Sequence, residues 1–361
     1  MRVRCIQRDM RAGSLVLVAL VLAAGCSGAA DAPRPAASPA TTGEPAPPEV
    51  DFTTSGWKTE FSRHSVPLGE ISRGGPGKDG IPALDRPSSV PVGDAERWLE
   101  DREPVVELEL GGEARAYPIQ ILIWHEIAND ELAGTPVAVT FCPLCNTAIV
   151  FDRSLDGRLL DFGTTGNLRN SDLVMYDRQT ESWWQQFGGE AIVGELTGAR
   201  LEQLPARIVA WADFAARHPD GTALSQDTGF ERHYGINPYA GYDDVSSSPI
   251  FPAANADDDR LQPKERVVYI ERGGEAAAVP FTLLGQRRTL ELVVGGDRLV
   301  LELVPGVRSS LDSPFIDEGR FVGSVTVRSA PGGELVPFDT PFWFAVAAFR
   351  PDVQVVRSAS P

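Results

Sequence analysis

Cysteine, histidine and lysine are all scarce in this chain of 361 residues, which has four, four and three of them. Basic residues number 33 against 50 acidic ones, a net charge of −17. Such a chain is a poor nucleic-acid binder, because phosphate contacts need clustered Lys and Arg. The same balance argues against broad adhesion to an anionic membrane surface. Several motifs are also missing. No Gly-x-Ser-x-Gly nucleophile elbow occurs. The glycine-rich stretch Gly74–Asp85 has no Gly-Lys-Ser/Thr and opens no helix, so it is a turn-rich surface loop and not a phosphate cradle. His125-Glu126 is not a zincin motif, since Asn129 stands where the second His belongs.

No apolar run approaches the roughly 20 residues of a membrane-crossing helix. The N-terminus instead reads as an export signal. Arg2, Arg4, Arg8 and Arg11 precede an uncharged stretch, Ala12–Ala24, and small residues lead to Cys26. Leu22-Ala-Ala-Gly-Cys26 is similar to a bacterial lipobox, which makes residues 1–25 a lipoprotein signal peptide and Cys26 the lipidated residue. Residues 26–50 are rich in Ala, Pro, Ser and Thr and too poor in large apolar side chains to fold. They are expected to be a disordered tether to the membrane. Removing the signal leaves 29 basic against 49 acidic residues, a balance of −20. The expected location is the cell envelope, lipid-anchored, with the domain outside the cytoplasm.

This processing concentrates attention on one short stretch. Cys5 leaves with the signal and Cys26 becomes a thioether. Cys142-Pro-Leu-Cys145 then holds the only thiols of an exported, oxidising setting.

The remaining chain carries one pattern twice. Glu103–Leu122 (EPVVELELGGEARAYPIQIL) and Glu265–Leu284 (ERVVYIERGGEAAAVPFTLL) share 11 of 20 positions without a gap. A weaker echo relates Trp211–Asp220 to Trp343–Asp352. We read this as an internal duplication, with a first subdomain over 51–255 and a second, degenerate one over 256–361. The second copy has neither Cys nor His, so chemistry is expected in the first and an architectural role in the second.

Local pattern indicates an α+β fold, richer in strand than helix. Val106, Leu108 and Leu110 alternate with glutamates, which predicts a half-buried strand turned by Gly111-Gly112. Apolar spacing predicts a helix from Pro118 to about Asn129 and another over Ala206–Arg217. Thr135–Phe141, Ala148–Asp152, Arg158–Thr165 and Leu173–Tyr176 read as strands. Gly163–Asp172 reads as a polar loop.

Three chemistries fit Cys142-Pro-Leu-Cys145. Neighbouring amides and a partner thiol can depress a thiolate pKa for redox work. The same spacing lets two sulfurs reach one metal ion. A structural disulfide across so small a loop stabilises by only about 2 kcal/mol. A thioredoxin fold would need a long helix after the pair, and strand-like residues follow instead. Zinc ribbons and rubredoxins need a second Cys pair, which is absent, so a Zn or Cu site would recruit His or carboxylate. His125, on the preceding helix, is the natural third member as base or ligand. Asp85 is a weaker fourth. Trp183, Trp184 and Tyr239 are candidates to line a binding cleft.

Several ordered motifs together resemble the DUF3179 family, exported proteins of unknown function. They are Lys78–Asp85, Tyr117-Pro118, Trp124–Asn129, Thr140–Ala148, Gly163–Asp172, Glu181–Gln186, Gly189–Ala191 and Tyr234–Tyr239. The resemblance covers roughly residues 57–355. Some relatives are labelled selenoproteins, which implies redox chemistry at Cys142 or Cys145. Members often have Gly after the second Cys; Asn146 here can also adopt a left-handed conformation. The sequence therefore supports three functions. The first is a thiol/disulfide oxidoreductase using Cys142, Cys145 and His125. The second is a Zn- or Cu-binding protein using the same residues with Asp85. The third is a non-catalytic envelope binding module.

Overall fold

The computed structural model describes residues 50–357. The export signal, Cys26 and almost all of the expected tether lie outside the described residues. The described residues form one compact unit. It is strand-rich, with 40% strand and 12% helix, the α+β balance read from the sequence.

Five sheets follow one another in a propeller-like ring. Blade 1 is built on the hairpin Pro104–Leu110 and Glu113–Pro118. Gly111 and Gly112 turn it with φ of 57° and 85°, the pair of positive angles that matches strand twist in a tight hairpin. Blade 2 is the meander Ile127–Leu132, Thr135–Cys142 and Thr147–Asp152. Blade 3 contains Phe162–Arg169, Asp172–Asp177, Trp183–Gln185 and Glu190–Val193. Blade 4 is Val267–Arg272 with Glu275–Pro280, and blade 5 is Thr289–Val294, Asp297–Val304 and Ser324–Ser329.

Side chains join the blades. Asn129 of blade 2 exchanges two hydrogen bonds of 2.8 Å with the Phe162 backbone of blade 3. Phe187, just beyond a blade 3 strand, packs on Tyr269 of blade 4 and stacks on Phe349 at 4.7 Å. Blades 4 and 5 share an apolar core through Val268, Ile270, Leu299 and Leu301. Arg207 of blade 1 closes the ring by donating to Thr326 of blade 5 at 2.7 Å.

The two matching sequence stretches begin similar local arrangements. In each half a hairpin leads through Pro into a seven-residue helix, Ile119–His125 and Phe281–Arg287. Each helix stops at a residue with positive φ, Glu126 at 59° and Arg288 at 66°. A later helix and a parallel strand then return to the hairpin. Thr222 and Ala223 pair with Arg115 and Ala116, and Gln354 and Val355 pair with Ala277 and Ala278. These are equivalent positions of the two sequence copies.

Three local expectations need correction. The helix after Pro118 ends at His125, because Glu126 leaves helical φ and a strand begins at Ile127. Ala206–Ala210 is a strand paired with blade 1, and only Trp211–Arg217 is helical. Gly163–Asp172 is largely strand, turned by Asn170 and Ser171 with φ of 55° and 58°. The strand over Val106–Leu110 is also more deeply buried than its alternation suggested, since Glu107 is only 3% exposed. Arg207 meets it with two contacts of 2.9 and 3.2 Å, and Arg217 and His218 add more.

Two carboxyls on this blade set opposite pH trends. Burial pushes Glu103 up to about 7. Burial would also raise Glu107, but Arg207, Arg217 and His218 hold it at about 2. A raised carboxyl keeps its proton longer in the folded than in the unfolded chain, so its contribution falls as pH climbs from 4.5 through about 7. A depressed one contributes above 4.5 and is lost as pH falls toward about 2. Denaturant unfolding should therefore show greatest stability in mildly acid buffer. Glu103→Gln should reduce the decline toward neutral pH by on the order of 2 kcal/mol. An unchanged slope in that variant would show that Glu103 does not titrate as stated.

Candidate functional site

The Cys turn is the end of a strand in blade 2. Cys142 forms the last ladder pair with Thr147, leaving Pro143, Leu144, Cys145 and Asn146 as the loop. Asn146 has φ of 59°, the left-handed conformation that the turn requires of this position. The second half grips this loop. The Phe342 amide donates to Cys145 O at 2.9 Å. Asn146 donates to Thr340 O at 2.8 Å and accepts from Arg266 at 2.8 Å. The Ala148 amide donates to Asp339 Oδ1 at 3.1 Å.

Cys142 and Cys145 are free thiols, 1% and 0% exposed. Their third partner is Asp172, the first residue of a blade 3 strand, delivered by the Asn170-Ser171 turn. One ligand atom from each of Cys142, Cys145 and Asp172 lies within 4.8 Å of the others. Cys145 Sγ is 2.8 Å from Asp172 Oδ1 and 3.0 Å from Thr147 Oγ1. Around this trio the polar groups are ordered. Asp172 Oδ2 accepts from the Phe187 amide at 2.8 Å and from Gln185. Thr147 donates to Gln186, which in turn donates to Thr140.

Among the described residues no basic side chain bonds to these sulfurs. Burial drives both thiols up, Cys145 well above its ordinary range, with Asp172 adding repulsion. Burial also raises Asp172 to about 6 and the neighbouring Glu126 to about 8. The trio thus wants either protons or a cation. It lacks the electropositive setting that makes a cysteine reactive.

The structure brings Cys142 and Cys145 together but gives His125 another task. His125 Nδ1 lies 2.8 Å from Pro82 O, and Nε2 is 2.7 Å from Tyr234 Oη. Both ring nitrogens are occupied, so His125 is a packed residue fixing the Pro82 loop. Asp85 is exposed and paired with Arg178, with Asn129 donating to it at 2.9 Å. It takes no part in the trio. Trp183 and Trp184 are both fully buried, and Trp184 donates to Asp177 at 2.9 Å. They belong to the core and line no cleft, while Tyr239 packs partly buried against the core that contains the thiols.

Sequence reading missed Asp172 and Glu126 as neighbours of the thiols, though both stood in stretches already singled out. The available signal was the adjacent Asn-Ser turn, which fixes the direction of Asp172. A second acidic group, Glu107 and Glu109 with His218, is already neutralised by Arg207 and Arg217.

Burial and raised thiol pKa values give a direct expectation. In chelator-treated folded protein at neutral pH, iodoacetamide should leave the Cys142–Cys145 peptide unmodified on the timescale that alkylates it fully after denaturation. Peptide mass mapping reads the result, and equal rates in both states would contradict the buried site.

No curated protein and no solved structure matches this chain. The family model for proteins of unknown function DUF3179 matches residues 78–353, most of the chain and all of the elements that build the site. The chain belongs to the DUF3179 family.

Proposed function

We propose that the protein binds a single transition-metal ion through Cys142, Cys145 and Asp172, in a domain displayed on the bacterial envelope through lipidated Cys26. The observation that carries this reading is the convergence of three buried donor groups within 4.8 Å, with no cationic side chain among the described residues bonded to the sulfurs. Burying such charge unpaired is costly, and a metal ion supplies the missing positive charge. Two thiolates and a carboxylate suit Zn²⁺, whose bonds run near 2.3 Å to sulfur and about 2.0–2.2 Å to oxygen. Cu⁺ prefers the sulfurs alone. The hydrogen bonds to Asp172 Oδ2 and to Thr147 would orient the donors, as outer partners do in metal sites. The matched pairing of the two halves supports the reading as two related subdomains, the second an architectural clamp. It carries Val304-Pro-Gly-Val307 where the first has Cys142-Pro-Leu-Cys145.

A second reading has one specific observation in its favour. Asp172 Oδ1 at 2.8 Å from Cys145 Sγ is placed to take the thiol proton. With an external two-electron oxidant, the two thiols would lose two protons and two electrons and form one S–S bond.

Metal analysis separates these readings. Protein purified without chelator should hold about one Zn or Cu per chain. Cys142→Ser and Cys145→Ser should each abolish it. Asp172→Ala should lose Zn but retain Cu, while His125→Ala should keep the metal. Saturating Zn²⁺ at about 100 times Kd should stabilise the fold by about 2.7 kcal/mol. A protein that neither contains nor takes up Zn²⁺ or Cu⁺, yet forms the Cys142–Cys145 disulfide reversibly, would leave the redox reading.

A further inference from the structure

Cys142 and Cys145 are 1% and 0% exposed, so a metal ion reaches them only if part of the protein moves. What covers Cys142 on one side is not a blade strand. Cys142 Sγ lies 3.9 Å from Ser171 O, and Ser171 Oγ donates to Phe251 O at 2.7 Å. Phe251 and Ala253 pack, half-buried, against the core that holds both thiols. They belong to segment 244–253, which contains no helix or strand.

Firm anchors flank this segment. Before it, Asp243 is fully buried and paired with Arg266 at 3.2 Å and Arg320 at 2.6 Å. After it, the Ala254 amide donates to Asn170 Oδ1 at 3.0 Å, and Asn255 donates to Ala347 O at 3.1 Å. Between the anchors, Lys264 adds to the Ser171 tie. Its amide donates to Val245 O at 3.1 Å and its Nζ to Ser247 Oγ at 2.9 Å. The outer face is open, with Val245 43% and Ile250 63% exposed. The strands that carry the thiols and Asp172 differ in kind. Thr135–Cys142 and Asp172–Asp177 are each paired along both edges. Few buried apolar contacts and a backbone outside any sheet mark a region that opens below the free energy of global unfolding. We propose that segment 244–253 is a lid over the thiol trio, with Phe251 as its plug, and that its local opening admits the metal ion to Cys142 while the blades stay folded. This deepens the metal-binding reading and rests on it, yet the opening itself is measurable without metal.

Slow labelling of Cys142 by iodoacetamide in rising urea tests it, on the chelator-treated mature chain, read by peptide mass mapping. At low urea the rate should be independent of urea, because opening a short lid exposes little surface. Toward the unfolding midpoint it should take on the steep dependence of global unfolding. Phe251→Ala should speed labelling in the absence of urea by at least about tenfold, since the closed lid loses its plug. Val327→Ala opens a cavity in the buried core of blade 5. It should lower the urea midpoint yet leave labelling without urea unchanged. The urea profile of the unaltered protein decides the question even if a variant folds poorly. Labelling that keeps the global urea dependence down to zero urea, an unchanged rate in Phe251→Ala, or an equal acceleration in Val327→Ala would each overturn the lid. Zn²⁺ uptake, followed with a chromophoric chelator, should be faster in Phe251→Ala and unchanged in Val327→Ala. If no Zn²⁺ is taken up, the metal reading falls while the labelling series still decides the lid.

Discussion

The Cys turn keeps its shape because the far half of the chain holds it. A backbone hydrogen bond from Phe342 to Cys145 O, the Asn146–Thr340 and Asn146–Arg266 contacts, and the Asp339 carboxyl on Ala148 reach across 120 to 197 residues of sequence. A buried four-residue loop cannot satisfy its own amides and carbonyls. Segment 339–342 does so from outside. Backbone hydrogen bonds between Asp339 and Tyr269, and from Val267 to Pro341 O, in turn place that segment against blade 4. This explains how a half without cysteine or histidine still bears on the site.

The interior around the thiols is unusually acidic. Glu126 and Asp172 both stand near sulfur atoms that are themselves potential anions, and burial penalises every charged form. Natural cores accept such groups when protons, cations or convergent hydrogen bonds offset them. Asp172 has its hydrogen bonds, from Gln185 and Phe187. The sulfurs have no cationic partner among the described residues. Contrast Glu107, equally buried but met by Arg207, Arg217 and His218. The two acids differ in what surrounds them, and that difference separates a structural ion-pair network from a site with capacity for a ligand.

Much of the architecture was legible in the chain. Alternation and Gly-Gly turns marked the blade hairpins, because a two-residue positive-φ turn leaves little choice of register. The similar stretches Glu103–Leu122 and Glu265–Leu284 each lead into a seven-residue helix stopped at a positive-φ residue. Helix ends were less legible. Nothing in the composition of Ile119–Asn129 announced that Glu126 would adopt positive φ, since the following strand imposes it through pairing with Thr135–Cys142. The same holds for Ala206–Ala210, whose apolar spacing suits a helix but whose partner strand in blade 1 makes it extended.

By itself the sequence determined that Cys142 and Cys145 share a short turn and that Asn146 can take the left-handed angle. Local backbone preference suffices for each. It did not determine what faces the sulfurs. His125, nearest in sequence, is drawn to Pro82 and Tyr234. Asp172, 27 residues beyond Cys145, arrives through the packing of one blade against the next. Which donors converge is a property of how sheets stack, and that is decided by long-range burial and hydrogen-bond satisfaction that no local pattern encodes.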